Sequence, residues 1–205
     1  GSGAWGANGV TSAAVTINGS IGSKVVNIAA NQTAKTVADN VNFVKADTGV
    51  TATARTEVKL AFGSAGAYSL NLRSDNGADQ AVSFTLSAAS TADGLSSAIA
   101  AINDQSSKTG VTAALDNTGT AIILTNATGN DVRVADTAVV NSGAVTVQKL
   151  AADGTNSGAA STLAADSTAD STITSGYITL DSEKSFAIDN STSAATDVFA
   201  DSAST

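Results

Sequence analysis

The chain has no cysteine, no histidine, no proline and no methionine in its 205 residues. Without cysteine there is no disulfide framework, no thiolate nucleophile and no zinc–sulfur site. Without histidine the usual general base and the commonest metal-binding side chain are missing. Without proline no slow cis–trans step enters folding, although average usage would supply roughly ten prolines in this length. Aromatic residues make up 4% of the chain, with Trp5 the single tryptophan, so there is little ring surface to stack on a sugar. Basic residues are scarce too. Ten Lys and Arg face 18 Asp and Glu, giving a formal net charge of −8 and a pI near 4.2. That balance excludes the basic face needed for nucleic acid or an anionic membrane surface. No apolar run is long enough to span a bilayer. The Gly1-Ser2 start, without Met, reads as an excised fragment or an expression scar. A chain that travels unfolded and refolds elsewhere suits this composition, and so does drift in a surface protein rich in small polar residues.

Hydrophobic residues amount to 42%, much of it alanine, so Val, Ile and Leu on short strands must build the core. Residues 1–13 read as a leading loop. Val15 and Ile17 run into Asn18-Gly19, a hairpin signal, and Lys24–Ile28 returns. From Ala34 to Lys45 the period changes. Val37, Val41 and Val44 share one helical face with Ala34 and Ala38, and Gly49 supplies the left-handed turn that ends the helix. Strands are predicted at Val50–Ala54 and Glu57–Phe62. The same order then recurs. Tyr68–Leu72 and Ala81–Leu86 alternate around Asp75-Asn76-Gly77. Ser90 with Asp93 has capping-box spacing. Leu95, Ala98, Ile99 and Ile102 form a second helical face, closed by Gly110. Thr112–Leu115 and Ala121–Leu124 pair across Asp116–Gly119, and Val132–Val134 follows. Ala144–Leu150 reads as a strand, Ala151–Asp170 as a low-complexity loop. Tyr177–Leu180 and Phe186–Ile188 read as a last hairpin, and 190–205 as a fraying polar tail.

The recurrence is closest around the helix ends. Val41-Asn42, six residues, then Gly49-Val50-Thr51-Ala52 matches Ile102-Asn103, six residues, then Gly110-Val111-Thr112-Ala113. Thr48 and Thr109 precede the glycines, which lie 61 positions apart. A period of this size marks duplicated supersecondary units. Asn42 and Asn103 are expected to tie each helix end to the following turn through side-chain bonds to backbone. Phe43 falls about 200° from Val41, away from the core stripe, and its counterpart is Asp104. The first module is therefore expected to be covered on both sides, and the second to be more exposed.

Few residues offer chemistry. Serines lack an activating base, and no Ser-x-x-Lys occurs. All acids but Glu57 and Glu183 are Asp, and a carboxylate pair is not legible from spacing. Asp75–Asp79 and Asp153–Asn156 offer oxygens, but without the terminal Glu of a calcium loop they read as turns. Asn18, Asn31, Asn126 and Asn190 begin Asn-x-Ser/Thr triplets. No catalytic residue, cofactor or metal ligand is assigned.

The duplicated element resembles the flagellin hook IN motif, carried here by Ala101-Ile102-Asn103 with Lys108–Ala113, and by Val41-Asn42 with Thr48–Ala52. The first copy departs by one methylene, Val for Ile. The resemblance covers about residues 15–135 and marks Val41, Asn42, Thr48, Gly49, Ile102, Asn103, Thr109 and Gly110 as structural positions. It implies the central, outward-facing domains of a bacterial flagellin, without the heptad helices that polymerise. Such domains coat the filament exterior, contact neighbouring subunits, vary antigenically and accept O-linked glycan. The implied location is extracellular, on the filament, with no nucleic acid and no membrane insertion. The isolated fragment is expected to be a monomer. The filament cap protein shares the motif and is the nearest alternative. A secreted adhesin or glycan-binding module is another, and a glycosidase is a third. The expected fold is β-rich α+β, with two similar antiparallel-sheet modules, each packed by one helix, plus a β-hairpin tail. Residues 1–62 with 144–205 would form an inner, proximal module, 63–143 an outer, distal one, and 151–170 a long flexible loop.

Overall fold

A computed structural model describes residues 6–189. The leading Trp5 and the expected tail at 190–205 lie outside the described residues. The fold is β-rich α+β, and the chain divides into two compact units whose boundary falls inside one strand.

The first unit holds residues 7–56, 128–131 and 175–189. Strand β1 (Ala13–Asn18) forms a hairpin with β2 (Ser23–Ile28), closed by Asn18 opposite Ser23. Alternation puts Val15, Ile17, Val26 and Ile28 inside, as period-two side chains on a one-sided sheet must be. Helix α1 (Ala34–Phe43) starts at Thr33, whose hydroxyl accepts the Thr36 N–H at 3.2 Å. It buries Ala34, Val37, Ala38 and Val41. The predicted helix to Lys45 breaks at Val44 and resumes as the single turn α2 (Lys45–Thr48), ending on Gly49 at φ 76°. Val44 is only half-buried.

Strand β3 (Thr51–Phe62) is continuous where two strands are expected, because Ala52, Thr56, Val58, Leu60 and Phe62 keep one phase of burial throughout. The tail differs most. The segments at 177–180 and 186–188 do not pair with each other. Strand β12 (Tyr177–Asp181) pairs with the start of β3, Leu180 opposite Ala52, and β13 (Ala187–Asp189) pairs with β1, Ile188 opposite Ile17. A lone two-stranded hairpin is marginal in water. Here Ile178, Leu180 and Ile188 pack on the apolar clusters of the hairpin and α1 instead. Phe43 is 89% exposed, so the expected second cover over that helix face is absent among the described residues.

The second unit holds Gly6, 57–127 and 132–174. Strands β4 (Gly66–Arg73) and β5 (Gln80–Leu86) form its hairpin. Helix α3 (Ala92–Asn103) is capped by Thr91 rather than Ser90. The helix begins one residue later than the capping-box spacing implies, and the Thr91 hydroxyl accepts from Gly94 N–H. The single turn α4 (Ser106–Thr109) ends on Gly110 at φ 69°. Then come β6 (Val111–Leu115), β7 (Ile122–Asn126) and β8 (Val132–Asp136), with β6 pairing β7 and β8 pairing β4. Strand β9 (Val145–Lys149) pairs with the end of β3, and β10 (Ser161–Leu163) with β9. Strand β11 (Ser171–Thr174) pairs with β8.

Residues 144–174 therefore join the second unit, not the inner module expected for them, because β9 and β11 extend its sheets. The stretch 151–170 is not all loop either, since it carries β10 and a bridge from Leu150 to Asn156. Sheet orders are β13-β1-β2, β11-β8-β4-β5, and β10-β9-β3-β7-β6 with β12 also on β3. The core of this unit gathers Leu60, Leu70, Leu72, Leu95, Ile102, Ile122 and Leu124 around the ring cluster of Phe62, Tyr68 and Phe84. Ile99, expected in the core, packs at its margin.

Candidate functional site: twin clips at the helix ends

The eight motif residues make the same construction twice. Val41 and Ile102 are 0% and 1% exposed, each the last buried residue of its helix. The asparagine that follows does not bind the turn, as expected from sequence. It reaches the strand beyond. Asn42 Nδ2 donates to Ala52 O at 2.8 Å, and its Oδ1 accepts from Ala52 N at 2.8 Å. Asn103 does the same with Ala113, at 2.9 Å and 2.8 Å. A carboxamide carries one acceptor and donors side by side, so it satisfies both backbone groups of one strand residue, as a neighbouring strand would. Ala52 and Ala113 each lie ten residues past their asparagine.

The threonines seal the turn. Thr48 and Thr109 are wholly buried. Thr48 Oγ1 donates to Val44 O at 3.1 Å and accepts from Val50 N at 3.2 Å. Thr109 Oγ1 donates to Gln105 O at 3.0 Å and accepts from Val111 N at 3.2 Å. The glycines then reverse the chain in the left-handed region, which a β-carbon disfavours. All eight positions thus act together, as two copies of one clip that fixes a helix end to a strand.

The repeat extends further than its motif. Strand β6 holds the clipped Ala113 and pairs with β7, Leu124 opposite Ala113. Strand β3 holds the clipped Ala52 and pairs with β12, Leu180 opposite Ala52. Val134 of β8 stands opposite Leu72 of the second hairpin, and Ile188 of β13 opposite Ile17 of the first. Asn126 Nδ2 donates to Gly110 O at 3.4 Å, and Ser182 Oγ donates to Gly49 O at 2.9 Å. Strands β12 and β13 are therefore the last third of repeat 1, and repeat 2 is nested inside it. Sequence reasoning missed Asn126 and Ser182. The signal was faint, Ile, Leu and a polar residue at alternate positions, Ile122, Leu124 and Asn126 against Ile178, Leu180 and Ser182.

Other sequence candidates resolve as structure. Asn126 is fully buried and so is no glycan acceptor. Asp75–Asp79 is the tip of the β4–β5 hairpin, where Asp79 pairs with Arg133 at 2.8 Å. Asp153 ties Thr155 in a turn, which holds its carboxyl below the ordinary range. Burial pushes Asp116 up, but hydrogen bonds from Thr118 and the N–H groups of Thr120 and Ala121 outweigh it and lower it. Burial raises the Asp136 carboxyl. The Asp170 N–H on its Oδ1 works against this, and the charges of Asp170 and Asp166 add to the rise. No group of three acidic side chains among the described residues can hold a metal ion.

The sequence matches the family model of the flagellin hook IN motif twice, over residues 14–76 and 70–128. The chain belongs to the flagellin hook IN motif family. Both clips lie inside the matched segments, and the match makes the protein a structural one of flagellin type. No curated protein matches the chain. The family match ends before β8, so it leaves out the strands that complete each repeat.

Proposed function

We propose that this hook IN motif protein supplies solvent-facing outer domains of a flagellar filament subunit. The observation that carries the reading is the pair of family motifs, each folded into a closed clip that fixes a helix end to a strand. The role is one of shape and coating. A net charge of −8 keeps such a surface soluble and self-repelling. The first unit, through which the chain passes before and after the nested repeat, is the filament-proximal part, and the second unit is distal. Neighbouring subunits are its partners, with O-linked sugars on exposed Ser and Thr as an optional addition. Motility and antigenic variation follow from that position, and catalysis does not enter.

Antibodies against this chain should decorate isolated filaments along their whole length in electron micrographs. Label confined to the filament tip would assign the chain to the cap protein. Filaments that take no label would overturn the proposal.

A further inference from the structure

The two repeats differ in what stands above the left-handed glycine of the clip. In repeat 2 that place is filled. The Asp75 carboxyl sits where a β-carbon on Gly110 would point, Asp75 N donates to Thr109 O at 2.9 Å, and Asn126 Nδ2 donates to Asp75 Oδ1 at 2.8 Å and Ser74 Oγ at 2.9 Å. In repeat 1 the nearest atoms in that direction from Gly49 are the end of the exposed Ile21 side chain, at 3.3 Å, and Ser20 Oγ, at 3.5 Å, with no carboxyl among them. A cleft of about 560 Å³ opens there, and its lining holds Ser20, Ile21, Lys45 and Lys184 together with the carboxylates Asp181 and Glu183. The position matching Lys45 in repeat 2 is Ser106. Lys45 and Lys184 have no ion-pair partner among the described residues.

We infer that this cleft binds a carboxylate, the group that repeat 2 carries within its own chain as Asp75. Lys45 and Lys184 supply the charge, Ser20 the hydroxyl nearest Gly49, and the exposed side chain of Ile21, which now stands over Gly49, turns aside to admit the ligand. Asp181 and Glu183 in the same lining repel an anion of high charge. They suit a single carboxylate flanked by hydrogen-bond donors, as an aspartyl residue is flanked by its own amides. Its source is either a small organic acid or an acidic side chain of a second copy of this chain. The site is open to water, so salt screens it strongly and binding is weak.

The test titrates acetyl-aspartyl amide into the isotope-labelled whole chain and follows backbone amide shifts. Saturable shifts confined to 20–22, 49–51 and 182–184 are expected. They should disappear in the Lys45→Ala/Lys184→Ala double variant, whose remaining spectrum is unchanged. Ser20→Asp should close the cleft in the manner of repeat 2 and abolish the response with the fold intact. Equal shifts from chloride at matched ionic strength would mean an adventitious ion only and would overturn the inference, as would no response at all. A dilution series without added acid separates the sources. Shifts at the same amides that grow with protein concentration assign the carboxylate to a second copy, and shifts seen only with the added acid assign it to a small molecule.

Discussion

The smallest working part is a single carboxamide. Asn42 and Asn103 each hold both backbone groups of one alanine, so chemistry and not size is what the position selects. Asn103→Asp keeps the shape but removes the donor and sets a charge against Ala113 O. It should cost about 1–3 kcal/mol, the penalty of leaving a partly buried carbonyl unmatched, read as a lowered urea midpoint. Ile102→Ala, one residue earlier, should cost about 2–5 kcal/mol through lost burial and the cavity left behind. Asp136 carries a pH dependence. Its folded carboxyl titrates above the unfolded one, so the folded state keeps the proton longer. Its contribution is therefore unperturbed below the unfolded value and turns destabilising as pH rises through the folded value. Asp136→Asn should remove that decline from denaturation curves taken upward in pH from the ordinary aspartate value. Identical slopes in parent and variant would refute the assignment. Asn42, Thr48, Gly49 and their partners were legible as positions, because two copies at one spacing stand out against any background. The strand ten residues on, as the asparagines' target, was not legible. Local side-chain bonding to the nearest turn is the commoner pattern, and nothing in the intervening residues marks the reach.

At the scale of elements, each helix ends through a short second turn and a left-handed glycine. Gly110→Ala meets two penalties, the backbone conformation and the Asp75 carboxyl in the new methyl's place. The loss should exceed that of a typical exposed Gly→Ala change, and a melting temperature equal to the parent's would contradict the packing described. Helices and hairpins read well from sequence because their periods are local and their glycines sit at the ends. The tail did not. Strands at 177–181 and 187–189 have the right alternation, but their partners lie more than a hundred residues away, and a nearby pair with a turn between looks like a hairpin. The division of 144–174 failed for the same reason. Pairing with β3 and β8 is a long-range fact that alternation does not encode.

For the molecule as a whole, nesting sets the order of stability. Ending the chain after Thr174 removes β12 and β13 and with them two of the three strand pairings described for the first unit, β3 with β12 and β1 with β13, while every strand of the second unit remains. Hydrogen exchange on that shortened chain should show amides of 13–55 unprotected and those of 66–149 still protected. Loss of protection throughout would mean the second unit depends on the first. The absence of proline has a kinetic counterpart. Refolding from urea should lack any phase of tens of seconds, since no prolyl bond has to isomerise.

Arg55 and Tyr177 stand opposite each other on adjacent strands. Adjacent strands are only about 4.8 Å apart. Whatever the chain does between those residues, it must come back almost to where it left. The host lobe thus has a doorway one strand wide, but the inserted chain also hands a short piece back to it, with Gly129 O accepting from Lys35 N at 2.9 Å and Asp131 Oδ2 from Asn8 Nδ2 at 2.8 Å. Cargo spliced in there would have to bring its own two ends together and replace those two ties as well.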